Sequence, residues 1–272
     1  MNSMKKITKF FINLTSVGSI VLIATLNSSQ FAVMGQPTPE VKGKPITRSG
    51  GPRFVPPIED MLPGDLPRAT DTRGGCVKKD KKQKDLTPLL PKSKMGRTVS
   101  EYPLFFFYLP ETEAQVAEFV LQDEKGNQIY QTTLKINNSS GIVGVSIPTN
   151  QNVSPLQIGK NYRWSVTLIC DTEDRSKDVF EAGIVRRVEL SADILRELDA
   201  ADPREKTFIY AENGIWQDAL STLVAARRAN PNDAMLKTDW ESLLDSVNLG
   251  EIAKEPIVPI DPQPIAPIDP QP

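Results

Sequence analysis

The 272-residue chain contains no histidine and only two cysteines. Without an imidazole there is no Ser/His or Cys/His nucleophile pair, no histidine general base and no histidine-ligated metal. The two cysteines, Cys76 and Cys170, do not form a CxxC motif, which argues against a thioredoxin-type redox site. No glycine-rich phosphate loop, dinucleotide fingerprint or nucleophile elbow is present, so no cofactor is implied. Charge of one sign is scarce as well, with 32 basic against 34 acidic residues. Lys5, Lys6 and Lys9 stand in a first stretch of 35 residues that holds no acid, leaving 29 basic against 34 acidic residues beyond it. A dedicated nucleic-acid binder carries a strong positive excess, so nucleic acid is not an expected partner.

Long apolar runs are nearly absent too. Phe10 to Leu26 is interrupted by Asn13, Thr15, Ser16 and Ser19, and a spanning helix needs about 20 mainly apolar residues. A basic start, a short apolar run and the small residues Val33 and Gly35 are the layout of a signal peptide over residues 1–35, cut after Gly35. The alternative is an uncleaved anchor holding the same body outside the membrane. Both place the body in an oxidising compartment, where Cys76 and Cys170 are candidates for a disulfide. Two free thiols, with Cys170 packed as a small hydrophobe, are the other reading.

Residues 36–84 contain eight prolines and six glycines, with Phe54 as the sole aromatic. Such a composition predicts an extended, disordered linker, because it buries too little apolar surface to offset chain entropy. Its end is basic, with Arg73, Lys78, Lys79, Lys81, Lys82 and Lys84 relieved only by Asp80. That cluster suits peripheral contact with anionic lipid or with envelope polymers, or it is simply a solvated linker end. Residues 251–272 form a proline-rich tail in which PIVPIDPQ and PIAPIDPQ follow each other. Fixed φ angles and missing donors there favour a semi-rigid polyproline spacer.

Between these ends the chain has ordinary folded composition, and its pattern changes once. Over residues 85–190, short runs alternate with turn signals: Pro103–Leu109, Val116–Gln122, Tyr130–Ile136, Ile142–Ile147, Tyr162–Cys170 and Val179–Leu190. Six or seven strands without intervening helices predict an antiparallel, all-β, immunoglobulin-like sandwich. Over residues 191–250 the period becomes helical. Ser191 caps one helix, and Asp202-Pro203-Arg204-Glu205 supplies a cap, a Pro at N1 and a Glu at N3 for the next, which ends near Gly214. Trp216, Ala219, Leu220, Leu223 and Val224 mark a third, and Leu236, Trp240, Leu243, Leu244 and Val247 a fourth. A small α-helical appendage after the sandwich is the expectation.

Two resemblances attach to these segments. With Ala219 as reference, Tyr210, Leu223, Ala226 and Pro231 stand at −9, +4, +7 and +12, with Gly214 and Trp216 in the turn. Residues 200–233 thus resemble one tetratricopeptide repeat, although Pro203 and Lys206 occupy its usual Trp and Leu positions. The stretches LTPLLP (86–91), FFFYLP, CDTEDRSKDVFEAGIVRRVEL (170–190) and YAENGIWQDAL followed by NPND resemble, in that order, the cyanobacterial domain of unknown function 928 family. The resemblance implies an exported cyanobacterial protein and brings no activity, cofactor or catalytic residue with it.

The chemistry-bearing clusters remain to be weighed. Asp171 to Asp178 holds four carboxylates in eight residues, yet lacks the central Gly and final Glu of a calcium loop. Glu111, Glu113, Asp171, Glu173, Asp174 and Asp178 offer carboxylates for a glycosidase if two of them face one cleft. Asn137 and Asn138 each begin a glycosylation sequon. In the aromatic run, Phe105 and Phe107 point one way on a strand, while Phe106 and Tyr108 point the other. Phe106 and Tyr108, with Trp216, form a possible binding surface for a protein or glycan; packing against the helices is the alternative. The expectation is a non-enzymatic, exported interaction or scaffolding protein of the cell envelope, with an envelope protein or glycan as partner. The alternatives are a carbohydrate-binding module using the aromatic strand and a carboxylate-based glycosidase.

Overall fold

A computed structural model of the chain describes residues 50–61, 75–77, 84–136, 140–149 and 153–258. The signal segment, most of the basic cluster, the sequon asparagines and the tail repeats beyond Val258 lie outside the described residues. The strands are β1 (Thr87–Pro88), β2 (Met95–Thr98), β3 (Leu104–Leu109), β4 (Val116–Gln122), β5 (Gln128–Lys135), β6 (Gly141–Ser146), β7 (Asn161–Ile169), β8 (Val179–Arg187) and β9 (Ile257–Val258). Before β9 come the helices α1 (Ala192–Ala200), α2 (Pro203–Glu212), α3 (Trp216–Ala229) and α4 (Ala234–Asp245). Among the described residues no helix is long and apolar enough to cross a membrane.

The strands form two mixed sheets, β1-β3-β6-β9 and β2-β8-β7-β4-β5. Period-two patterning builds the larger one: along β7, Tyr162, Trp164, Val166 and Leu168 are buried and alternate with partly exposed residues. Phe119 of β4 and Trp164 of β7 meet Phe105 of β3 across the gap, with ring centroids 5.1 and 5.3 Å from it. Each fully buried ring of this kind contributes about 1.5–3 kcal/mol. Pairing is antiparallel except at two margins, where β2 runs parallel to β8 and β9 parallel to β6. The expected wholly antiparallel sandwich is corrected at these strands, which pair with partners far away in the sequence.

The helices complete the same core. Trp216, fully buried, donates its indole N–H to the Leu89 carbonyl at 2.7 Å, and α3 packs on both β2 and β3. Gln217 of α3 lies against Gly96 of β2, where a Cβ would stand 3.2 Å from it. The caps read from the sequence are present: Asp202 and Glu205 form a reciprocal capping box, and Ser191 and Asp233 cap α1 and α4. Gly214, between α2 and α3, has φ +73°, and a Cβ there would stand 2.6 Å from Pro57, so glycine is required twice over. Arg204 of α2 pairs with Asp239 of α4, which is 1% exposed.

The stretch from Gly50 to Met61, inside the expected linker, packs against the helices. Phe54 meets the Trp216 ring edge-on at 5.1 Å, and the Val55 N–H donates to Ala211. A short turn of 3-10 helix at Ile58–Met61 presents both oxygens of Asp60 to the Nε–Nη2 edge of the Arg97 guanidinium, at 2.8 and 3.0 Å. The segment gains from its helical partners the apolar contact that its own composition lacks. Cys76 and Cys170 are joined as a disulfide with their Cα atoms 5.2 Å apart. Beside it the Cys76 carbonyl accepts from the Glu113 N–H, and Val77 bridges to Thr112.

Candidate functional site

The residues expected to form a binding surface are in the core. Phe106, Tyr108 and Trp216 are 1%, 5% and 0% exposed. Alternation along β3 does turn Phe106 and Tyr108 away from Phe105, but the second face is covered as well. The Phe106 ring lies on Gly144 of β6, where a Cβ would approach it to 2.9 Å. Lys84 sits 5.9 Å above the Tyr108 ring and pairs with Glu255. Burial, with help from Glu255 and Glu111, raises the Tyr108 phenol above its usual pKa. These rings serve packing, and the aromatic strand offers no platform for a glycan.

The acidic turn after β7 neutralises itself. Lys177 reaches Asp171 at 3.1 Å and Asp174 at 3.4 Å, and Arg175 pairs with Asp178. Asp178 also accepts from the Cys170 N–H at 3.0 Å. The Glu173 N–H, then Lys177, hold Asp171 below the usual carboxylate range, and the Ser176 side chain and N–H do the same for Asp174. Oxygens committed in this way make a braced hairpin. The disulfide brings the Thr112–Glu113 loop to the same end, so the carboxylates named for a glycosidase do share one region. Yet Asp171, Asp174 and Asp178 are each held by a cation, and Asp171 and Asp174 are lowered in pKa where a proton donor would be raised. Among the described residues no group of three metal-ligating side chains occurs.

One carboxylate behaves differently. Asp218, in the first turn of α3, accepts from the Val99 N–H at 3.1 Å and from the Thr98 hydroxyl. Burial between α3 and β2 pushes its pKa up to about 6 against those hydrogen bonds. It ties helix to sheet. A shallow groove of about 670 Å³ lies elsewhere, along α4 and the turn after it, lined by Glu241, Asp245, Asn248, Glu251 and Lys254 among others. Glu251 is bonded to Lys254 at 2.6 Å, while Glu241 and Asp245 stand one turn apart on the same wall.

Among the described residues, the outer face of the five-stranded sheet is partly exposed. Register aligns its rows: Phe180, Thr167, Glu118 and Thr133 form one, and Ala182, Ser165, Val120 and Gln131 the next. Arg163 and Arg186 flank them on β7 and β8, partly exposed. Small or hydroxyl side chains thus share the face with Phe180 and with Glu118, which accepts from Gln131, while Ala182 is buried among them. At the β2 margin Arg97 is already held by Asp60 and Glu59. The period-two reading of 162–170 named the inward set, and its complement, Arg163, Ser165, Thr167 and Ile169, is this face. It carries no aromatic cluster or motif, so nothing local in the sequence marks it.

No curated protein matches the chain. The family model for a Domain of Unknown Function, DUF928, matches residues 68–257, which takes in α1 to α4, β1 to β8 and the first residue of β9. A match of that extent, over sheets and helices alike, assigns the chain to the DUF928 family.

Proposed function

We propose that the protein is an exported, non-enzymatic interaction or scaffolding protein of a cyanobacterial envelope, and that it meets its partner through the outer face of the five-stranded sheet. The observation that carries this reading is where the chemistry has been spent. Phe106, Tyr108 and Trp216 are in the core and the acidic turn is internally neutralised, while one broad sheet face is left partly exposed. Shallow, polar faces of this kind suit protein surfaces better than small molecules, which favour concave apolar pockets. In this reading the two sheets are a variant of the immunoglobulin-like sandwich, and the α2–α3 pair is a single tetratricopeptide-like unit that serves the core. The signal segment delivers the chain, and the basic cluster near residues 73–84 adds peripheral contact with anionic envelope surfaces.

The test compares the tagged full chain with a Val120→Lys, Thr167→Lys variant in cross-linking capture from a native envelope extract. Both positions face outward, so the melting temperature should be preserved. A protein retained by the wild type and lost at least tenfold by the variant supports the reading. Equal retention, or turnover of an envelope glycan or peptide by the purified chain, overturns it.

A further inference from the structure

The five-stranded sheet ends at β5, and among the described residues nothing pairs with its outer edge. Eight residues form this edge, Gln128 to Lys135, with no proline and a single lysine at its end. Natural sheets usually blunt an edge of that length. The direction of its free groups follows from the ladder. The Ile136 N–H donates to Gln115 of the neighbouring strand, so residues 136, 134, 132 and 130 bond inward to β4. Gln131, Thr133 and Lys135 therefore turn their N–H and C=O groups to the open side.

We propose that β5 pairs antiparallel with β5 of a second copy of this chain, about a two-fold axis at Thr132. An interface between identical strands must satisfy itself under that axis, and this register does. Gln131 of each copy falls opposite Thr133 of the other, and both carry outward backbone groups, giving four hydrogen bonds in two exchanged pairs. On the inner face Tyr130 falls opposite Leu134, which extends the apolar row of each core across the join. Moving the axis one residue to Gln131 would set Gln128 against Leu134 and break that row. Charge agrees with the choice of occupant. Lys135, exposed at one end of β5, is brought to the end of the ribbon that carries the second copy's 123–127 turn, and the axis repeats this at the other end. In that turn Glu124 is paired with Lys160, but Asp123 is held by Asn127 and the Lys125 N–H and is the facing acid. The pairing stands apart from the outer-face reading, since it uses the edge and leaves that face free.

Sedimentation equilibrium of the full chain over a wide concentration range is the test, with two variants. Thr133→Pro removes an N–H that the β4–β5 ladder does not use, so the fold should survive while two of the four intermolecular bonds are lost. At the usual worth of a hydrogen bond, dimerisation should weaken roughly 10- to 30-fold. Lys135→Glu, at an exposed position, should weaken it and reverse its salt dependence. A reversible dimer weakened by Lys135→Glu, and by Thr133→Pro if that variant folds, supports the proposal. A monomer at every concentration, or a dimer insensitive to Lys135→Glu, overturns it, and neither result bears on capture through the outer face.

Discussion

Asp218→Asn gives the sharpest check on how α3 is fastened to the sheet. The carboxyl moves from 3.8 to about 6 on folding, and at about 1.4 kcal/mol per pH unit this corresponds to about 3 kcal/mol. Burial raises the pKa, so the sign runs against stability. Between roughly pH 4 and pH 6 the folded chain keeps a proton that the unfolded chain has lost. Stability therefore falls as pH rises through that window, and the penalty is complete above it. Two features make the figure an upper bound: the side chain keeps partial contact with solvent, and the start of a helix favours a negative charge. In the asparagine variant the amide oxygen can still accept from Val99 and Thr98, but nothing titrates. Its extra N–H donors cost about 1–3 kcal/mol if unsatisfied, by the same amount at every pH. The quantity to measure is thus a double difference, the variant minus wild-type unfolding free energy at pH 7 less the same quantity at pH 4, from urea denaturation. It should be positive and approach about 3 kcal/mol. A value near zero would refute the assignment of Asp218 as a buried, proton-retaining carboxyl.

Three further outcomes are expected. Trp216→Phe keeps most of the apolar ring but leaves the Leu89 carbonyl without its donor, so denaturation should show a loss of about 1–3 kcal/mol. Reducing the Cys76–Cys170 disulfide, which closes a loop of sequence separation 94, should cost about 2–5 kcal/mol, read as the difference between oxidised and reduced denaturation midpoints. Asp60→Ala strips the Arg97 guanidinium of its buried partner while leaving exposed Glu59; a loss near about 3 kcal/mol, the low end for a broken buried pair, should appear in thermal melts. The same variant should raise proteolytic sensitivity in residues 50–61.

What was legible in the sequence is what local periodicity controls. Strands β3 to β8 follow from alternation and turn residues, and the helix starts follow from Ser191, the Asp202–Glu205 box and the spacing after Trp216. The remaining elements depend on distant partners. Two-residue strands such as β1 and β9 are too short to carry a period, and β2, Met-Gly-Arg-Thr, has no apolar alternation because its glycine makes room for Leu90 and Gln217. Phe54 reads as a lone aromatic in a proline-rich stretch, and only the edge of Trp216 turns it into a core residue. The same limit governs the candidate site. Alternation correctly turned Phe106 and Tyr108 away from Phe105, but it does not tell what covers the second face, and that decided their role.

The position of α3 carries a consequence for the order in which the molecule can assemble. Strands β2 and β3, on which α3 packs, and β8, which pairs with β2, all leave the ribosome well before that helix. At roughly 5–20 residues per second, the 37 residues from Arg187 to Val224 take about 2 to 7 s to appear. Throughout that interval β2 and β3 lack the helix that packs on them, and Leu89 has no indole to bond. A nascent chain halted near residue 190 should therefore remain sticky and protease-sensitive, and should lock shut only when Trp216 and the turns behind it arrive. The late helices thus act as a closing step in time, and an incomplete chain carries its own mark of incompleteness.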